Sequence, residues 1–190
     1  MPESLRNKAA QLYDTAFGAK FSLAVRNRDK RLLLLSDALL LPFSVAAIAQ
    51  GKLVGMAGFQ TPRGALTKGM TLRKLFQHLG IPRGLWAAMV FSLYERQPQE
   101  SELLMDGIAV KRHMRGKGIG TKLLDELKQY ASENGYSRIR LDVIDTNPAA
   151  RRLYERQGFI PARTEEFGYL RRFLGFGAST AMVFRVERKA

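Results

Sequence analysis

The chain contains no cysteine. Disulfides, thiolate metal sites and a cysteine nucleophile are therefore excluded. Histidine is nearly as scarce, with His78 and His113 alone. A zinc centre built from these two plus carboxylates is not expected from the ligand types on offer, so no metal is assigned. Acidic residues are also in short supply: 17 Asp and Glu stand against 31 Lys and Arg, for a net charge of +14. Residues 61–98 are the most lopsided stretch, with six basic residues against one acidic. A basic surface favours anionic ligands, whether a nucleotide-like cofactor, RNA, the ribosome or an anionic membrane face, and it also serves plain solubility. No recognised nucleic-acid motif accompanies the charge, so no specific nucleic-acid partner is expected.

No secretion signal is expected either, since MPESLRNKAAQLYDTAF has no basic start followed by an apolar run. The longest hydrophobic stretch, Leu32 to Ala49, holds one charge, Asp37, and is interrupted by Ser36 and Pro42. A membrane span needs about 20 apolar residues. Pro42 is better read as separating the end of a buried helix from a buried strand. The expectation is a soluble cytoplasmic protein with no membrane partner.

What is present is 190 residues with 46% apolar content, enough for a single domain with its own core. Amphipathic spacing predicts helices over residues 2–17 and 29–41. Residues 42–50 and 52–61 read as strands joined by a tight turn at Gln50-Gly51-Lys52. Gly55 and Gly58 leave room for something to approach the second strand closely. Residues 71–79 and 82–96 read as a helix pair forming an insertion at 62–98. A strand follows at 102–110, a helix at 121–134 carrying Leu123, Leu124 and Leu127, a strand at 137–143, a helix at 147–157, and short strands at 159–162 and 180–186. Residues 163–179 read as a connection rich in aromatics and arginine. This order predicts an α+β fold: a single mixed, mostly antiparallel twisted sheet of about six to seven strands flanked by helices.

The most informative segment is Val110 to Thr121, VKRHMRGKGIGT. An apolar strand feeds a basic loop in which Gly116, Gly118 and Gly120 alternate just before a helical pattern starting at Thr121. Such a loop presents backbone N–H groups at a helix N-terminus with no side chains in the way, a site suited to a diphosphate. It is neither a Walker A loop nor the Rossmann G-x-G-x-x-G, and by itself it is a weak signal that a simple tight turn would also produce.

The wider context is more specific. Arg115-Gly116-Lys117-Gly118-Ile119-Gly120 fits R/Q-x-x-G-x-G/A and is preceded by Gly107-Ile108-Ala109-Val110. Asn147, Ala150, Leu153-Tyr154-Glu155 and Gly158-Phe159 follow downstream. The combination closely resembles the GNAT superfamily of acetyl-CoA-dependent N-acetyltransferases. The match is tight over about residues 100–160, and the helix–helix–hairpin order before it agrees loosely. The insertion departs from the common pattern.

The resemblance implies a donor, acetyl-CoA, and an acceptor amine on a small molecule or protein, with direct attack in a ternary complex. It implies splayed central strands, with a bulge in the strand that carries Gly107, a residue type that tolerates one. It assigns the backbone of Arg115 to Gly120, running into Thr121, to the coenzyme diphosphate, with the Arg115 and Lys117 side chains facing phosphate or solvent. Ile108, Ala109 and Val110 would pair with the pantetheine arm, and the N–H of Ile108 or Val110 would face the thioester carbonyl. Asn147, with Ala150 one turn on, would bond the coenzyme arm, a role compatible with capping its own helix. Tyr154 is the candidate general acid, or else a packed helix tyrosine.

Asp106 is the candidate general base, since its place four residues before Val110 suggests the same strand parity as Ile108 and Val110. Glu102 is a more distant alternative, and a solvated or salt-bridged carboxylate is the plain one. Trp86, Met89, Phe91 and Tyr94 read as core or as acceptor contacts, and the basic insertion as a lid favouring an acidic acceptor. The resemblance puts Tyr169, Arg171, Arg172 and Phe173 in a loop where substrate or dimer contacts fall, and residues 17–21 are expected to border the cleft. A homodimer stays open. The competing readings are a catalytically silent acyl-CoA-binding regulator on the same fold and a basic nucleic-acid-binding protein.

Overall fold

The structure is a computed structural model that describes residues 1–93, 95–168, 171 and 175–187. Tyr94, Tyr169, Arg172 and Phe173 lie outside the described residues. The elements in chain order are α1 (Arg6–Ser22), α2 (Arg28–Ala38), β1 (Ser44–Ala49), β2 (Lys52–Thr61), β3 (Gly64–Ala65), α3 (Leu72–Leu79) and α4 (Ile81–Ser92). They continue with β4 (Glu102–Val110), α5 (Ile119–Glu133), β5 (Arg138–Ile144), α6 (Pro148–Arg156), β6 (Ile160–Glu166) and β7 (Ala178–Arg185). Seven strands form one sheet in the order β1-β2-β4-β5-β7-β6, with β3 paired to β2. Among the described residues β4 and β5 are the only parallel neighbours.

Pro42 falls in a short 3-10 turn, Leu41–Phe43, between the end of α2 and β1. A residue without an N–H belongs at such a boundary. The β1–β2 turn places Gln50 and Gly51 both at positive φ, 50° and 69°, the backbone of a two-residue hairpin turn that suits right-twisted strands. Among the described residues no helix is long and apolar enough to cross a membrane.

Two apolar layers cover the sheet. On one face Leu123, Leu124, Leu127 and Ala131 of α5 pack against Leu103, Met105, Ile139, Leu141 and Val143. On the other, Ala9, Ala10, Leu12 and Tyr13 of α1 pack with Leu35, Leu53, Met56 and Ala109. The room expected beside Gly55 and Gly58 is filled from within: a side chain at Gly55 would strike Ile119 of α5, and one at Gly58 would strike Leu66. A third cluster holds the insertion, with Leu75, Leu79 and Ala87 against Val25 and Leu34.

Several boundaries differ from those expected. Helix α1 runs past Phe17 to Ser22, because Phe17 and Phe21 continue the buried face that Tyr13 begins. The second insertion helix begins at Ile81 and ends at Ser92, not Arg96. The last two strands reach into the segment taken for a connection: β6 extends to Glu166 and β7 begins at Ala178. Edge strand β6 is solvent-exposed along its whole length, so no alternation of polar and apolar residues marks it.

Candidate active site

The site is organised by the parting of two strands. Strands β4 and β5 pair in register only from Glu102↔Arg138 to Met105↔Leu141. Beyond that point β5 stays paired with β7 through Ile144, and β4 stays paired with β2 through Val110. The two halves of the sheet therefore diverge, leaving the facing edges of residues 106–110 and 142–144 unpaired with each other.

The divergence coincides with a bulge in β4. Gly58 faces Gly107 and Phe59 faces Met105, so Asp106 is an extra residue with no partner on β2. A bulge resets which face each side chain takes. Leu103 and Met105 point to the α5 face. After the bulge Ile108 and Val110 point there, and Ala109 points to α1. Gly107 lies under α1, where a Cβ would collide with the ring of Phe17. Asp106 also lies on the α1 side, where it interacts with Lys20 and Tyr13. The parity expected for Asp106 is thus corrected: it does not share a face with Ile108 and Val110, because the bulge inserts one residue between them.

The backbone keeps its alternation after the bulge. Lys111 N–H donates to Val54 at 2.9 Å, toward β2. The N–H groups of Gly107 and Ala109 point the same way, and those of Ile108 and Val110 point into the gap facing β5. These are two adjacent donors without a strand partner.

Asp106 is largely buried, and one of its carboxylate oxygens, Oδ2, has no hydrogen-bond partner. Burial pushes its pKa up to about 6, while the nearby Lys20 charge pulls the other way. The Lys20 side chain keeps exposed surface, yet the atoms crowded around its ammonium push its pKa down to about 8 against the pull of Asp106. Asp142 is the first β5 residue past the last β4 pair and also acts on Lys20. It is ion-paired with Arg96 at 3.7 Å. Neither Lys20 nor Asp142 had been singled out from the sequence. Lys20 fell within the segment 17–21 expected to border the cleft. Asp142 lies in a strand of alternating character, and only the splay brings it to the point where the gap opens.

Glu102 is removed from contention as a base. It is almost fully buried and bonded to Arg138 at 2.9 Å and Arg140 at 3.2 Å. These pairs clamp the closed end of the β4–β5 junction.

The glycine loop lies at the open end of β4, after a 3-10 turn at Arg112–Met114. Helix α5 starts two residues earlier than expected, at Ile119, because Gly118 adopts a left-handed φ of 74° and serves as its N-cap. Gly116 is also left-handed, at 76°, and no atom lies within 4 Å of where a side chain would stand at either glycine. No side chain caps α5. The first intrahelical bond runs from Lys122 N–H to Gly118 at 3.1 Å, leaving the N–H groups of Ile119, Gly120 and Thr121 with no helical partner. Arg115 is turned back, its Nε donating to the Val110 carbonyl at 3.2 Å, and Lys117 extends along the surface 4.0 Å from Met114 Sδ. The loop therefore offers main-chain donors over an open approach, the form an anion cradle takes.

Across the gap, Asn147 caps α6, its Oδ1 accepting from Ala150 N–H at 3.2 Å. That leaves the amide NH₂ as the side chain's available donor. Tyr154 is buried in the α5-side core, its ring 6.0 Å from Phe159, and burial pushes its phenol pKa up. Gly120 sits against this helix, a side chain there falling 2.9 Å from Leu153 Cδ2. Among the described residues no group of three or more His, Cys, Asp or Glu could hold a metal ion.

Residues 7–159 match the acetyltransferase (GNAT) family. The chain belongs to this family. An N-acetyltransferase from Staphylococcus aureus Mu50 has the same fold over 96% of this chain and 97% of its own, with a TM-score of 0.65 at 16% identity. A probable spermine N(1)-acetyltransferase of Bacillus subtilis subsp. natto is 34% identical over 71 residues, 37% of this chain and 47% of that protein. A streptothricin acetyltransferase structure from Bacillus anthracis, solved with acetyl coenzyme A, covers 76% of this chain and 62% of its own with a TM-score of 0.51 at 17% identity. The stretch matched by the spermine enzyme thus spans about half of that protein's length. As a family member the chain has the mixed open sheet that the splay divides.

Proposed function

We propose that the protein is an acetyl-CoA-dependent N-acetyltransferase that acts on a primary amine by direct attack in a ternary complex. The observation that carries this is the parting of β4 from β5 after Met105 and Leu141, with an uncapped helix and two open left-handed glycines at its end. A thioester-linked acetyl group on coenzyme A supplies the activated acyl carbon.

Each protein group then has a task its surroundings suit. The N–H groups of Ile119, Gly120 and Thr121, with the loop from Arg115 to Gly118, hold the diphosphate. The Ile108 and Val110 N–H groups offer donors to an acyl carbonyl oxygen, each such donor being worth about 3 kcal/mol in comparable sites. Ala109 and its neighbours supply the strand edge for the pantetheine amides, and the Asn147 NH₂ group reaches from the opposite side. Asp106 accepts a proton from the acceptor ammonium: with a pKa of about 6 it is ionised at neutral pH, and its unpaired Oδ2 lacks a donor that an ammonium would supply. Tyr154 stays protonated across the working range, so its phenol can give a proton to the leaving thiolate. Asp106 and Asp142, where the strands begin to part, are matched by Lys20 and Arg96, so this site carries no net charge that selects an acidic acceptor.

The test is free-thiol release from acetyl-CoA across a panel of amines. Tyr154→Phe is expected to lower kcat about 100-fold with little loss of thermal stability, since only the hydroxyl is removed. Gly118→Ala is expected to raise the KM for acetyl-CoA about tenfold without moving the KM for the amine. Coenzyme binding with no thiol release on any amine would favour the silent acyl-CoA-binding reading instead.

A further inference from the structure

The outer face of α4 is unusual for a surface helix. Ile81, Leu85, Trp86, Met89 and Leu93 are each 45–64% exposed. At 100° per residue they occupy, with Pro82, an arc of about 140° on which Ser92 is the sole polar residue. The inner face is already satisfied: Ala87 and Phe91 pack in the cluster with Val25, Leu34 and Leu75, and Phe91 stacks 5.3 Å from Phe21. The Trp86 indole donates to the Leu23 carbonyl at 3.1 Å, so its ring has no polar group left to hydrate.

The charge around this arc is mostly positive, with exposed Glu95 just past Leu93 as the one acid at its C-terminal end. No aspartate or glutamate occurs between Asp37 and Glu95, whereas Lys52, Arg63, Lys68, Arg73, Lys74 and Arg83 do. Arg73 and Arg83 are exposed on α3 and on the first turn of α4. The segment that ends α1 and starts α2, which packs under α4 through Val25, exposes Arg26, Arg28 and Lys30 with Asp29 as its one acid. Asp37, the other nearby acid, is answered by Lys74 and His78, each at 3.0 Å.

We propose that this face of α4 docks on an anionic lipid bilayer, its apolar arc entering the headgroup boundary and the flanking arginines and lysines meeting lipid phosphates. An apolar arc bordered by basic side chains is what an interfacial helix presents. A second copy of this chain is a poorer occupant, since two bodies of net charge +14 would bring like-charged rims together. An acidic protein is also poorer, because protein interfaces carry about one hydrogen bond per 100–200 Å² and this arc offers almost no donor or acceptor. The docking does not depend on the acyl-transfer reading. It adds a peripheral membrane partner, one of the anionic ligands that the basic composition allowed but did not select.

Trp86 is the only tryptophan, so it reports on the face directly. The full chain would be titrated with vesicles of phosphatidylcholine alone and of phosphatidylcholine with one third phosphatidylglycerol, followed by tryptophan emission and co-sedimentation. The expected result is a blue shift and sedimentation with the anionic vesicles only, weakening as ionic strength rises from about 0.05 to about 0.5 M. Leu85→Glu with Met89→Glu, both at exposed positions, should lower the partition coefficient at least about tenfold. Arg73→Glu with Arg83→Glu should lower it on anionic vesicles while leaving the fold intact by circular dichroism. No binding to either vesicle, or equal binding to both, would overturn the proposal. So would a concentration-dependent dimer in sedimentation velocity, without lipid, that the Leu85→Glu, Met89→Glu variant abolishes.

Discussion

Asp106 shows how much one residue's setting can change its chemistry. An aspartate on a strand is ordinarily ionised far below neutral pH. Here the bulge turns it under α1, burial lifts its pKa to about 6, and one oxygen is left without a partner. On the proposed mechanism, kcat/KM should fall on the acid side with a midpoint near pH 6. Asp106→Asn should remove that limb and lower kcat/KM about 100-fold. The same substitution makes a stability prediction of opposite sense. The folded protein holds this proton more tightly than the unfolded chain does, so the buried charge costs stability above pH 6 and costs nothing below the ordinary carboxylate range. Asp106→Asn should therefore raise the melting temperature at pH 8 and leave it nearly unchanged at about pH 3. A lower melting temperature at pH 8 would mean that pairing with Lys20 outweighs burial.

At the scale of elements, the bulge, the left-handed Gly118 and the α1–β4 contact together place the proposed donors, Asp106 and the uncapped end of α5 around one gap. Gly107 is the point of closest approach, because the Phe17 ring occupies the space a side chain would take. Gly107→Val should destabilise the protein by about 1–3 kcal/mol, the usual range for overpacking, measured as a lower denaturant midpoint with an unchanged slope. The helices and most strands were legible in the sequence, since α5, α6, β2 and β4 each carry a clear period or a turn signal. Helix α5 was missed by two residues because a glycine pair hides where helical dihedrals begin. A bulge in this strand was implied by the family resemblance, with Gly107 as a residue that tolerates one, yet nothing in LLMDGIAV says which residue is the extra one. A strict period of two applied there put Asp106 on the wrong face.

For the whole molecule, the sheet is two half-sheets joined by a short parallel seam. Four register pairs hold β4 to β5, and Glu102 clamps the seam with Arg138 and Arg140. The clamp is crowded: Arg140 Nε is buried without a hydrogen-bond partner. Glu102→Ala would leave two guanidinium groups at the seam without their carboxylate. It should cost about 3–5 kcal/mol, read as a drop in denaturant midpoint, and should weaken coenzyme binding because the angle of the gap depends on where the seam closes. The same global view brings Lys20, Asp142 and Arg96 together from three distant parts of the chain, and it leaves one face of the insertion uncovered.

The sequence by itself determined what local chemistry encodes: the glycine loop, the helix that follows it, the Asn147 cap and the α+β order of elements, each written in residues a few positions apart. Only the tertiary structure decided what depends on distant segments meeting. The strands part after Met105 because β2 holds one and β7 the other. Asp106 faces α1 because β2 lacks a residue opposite it. Glu102 is spent on two arginines from the neighbouring strand. The apolar side chains of α4 are exposed because α3, α2 and the turn around Val25 fill only its inner face. A residue's type is local, but its burial, charge state and freedom to bind are set by what the fold packs against it.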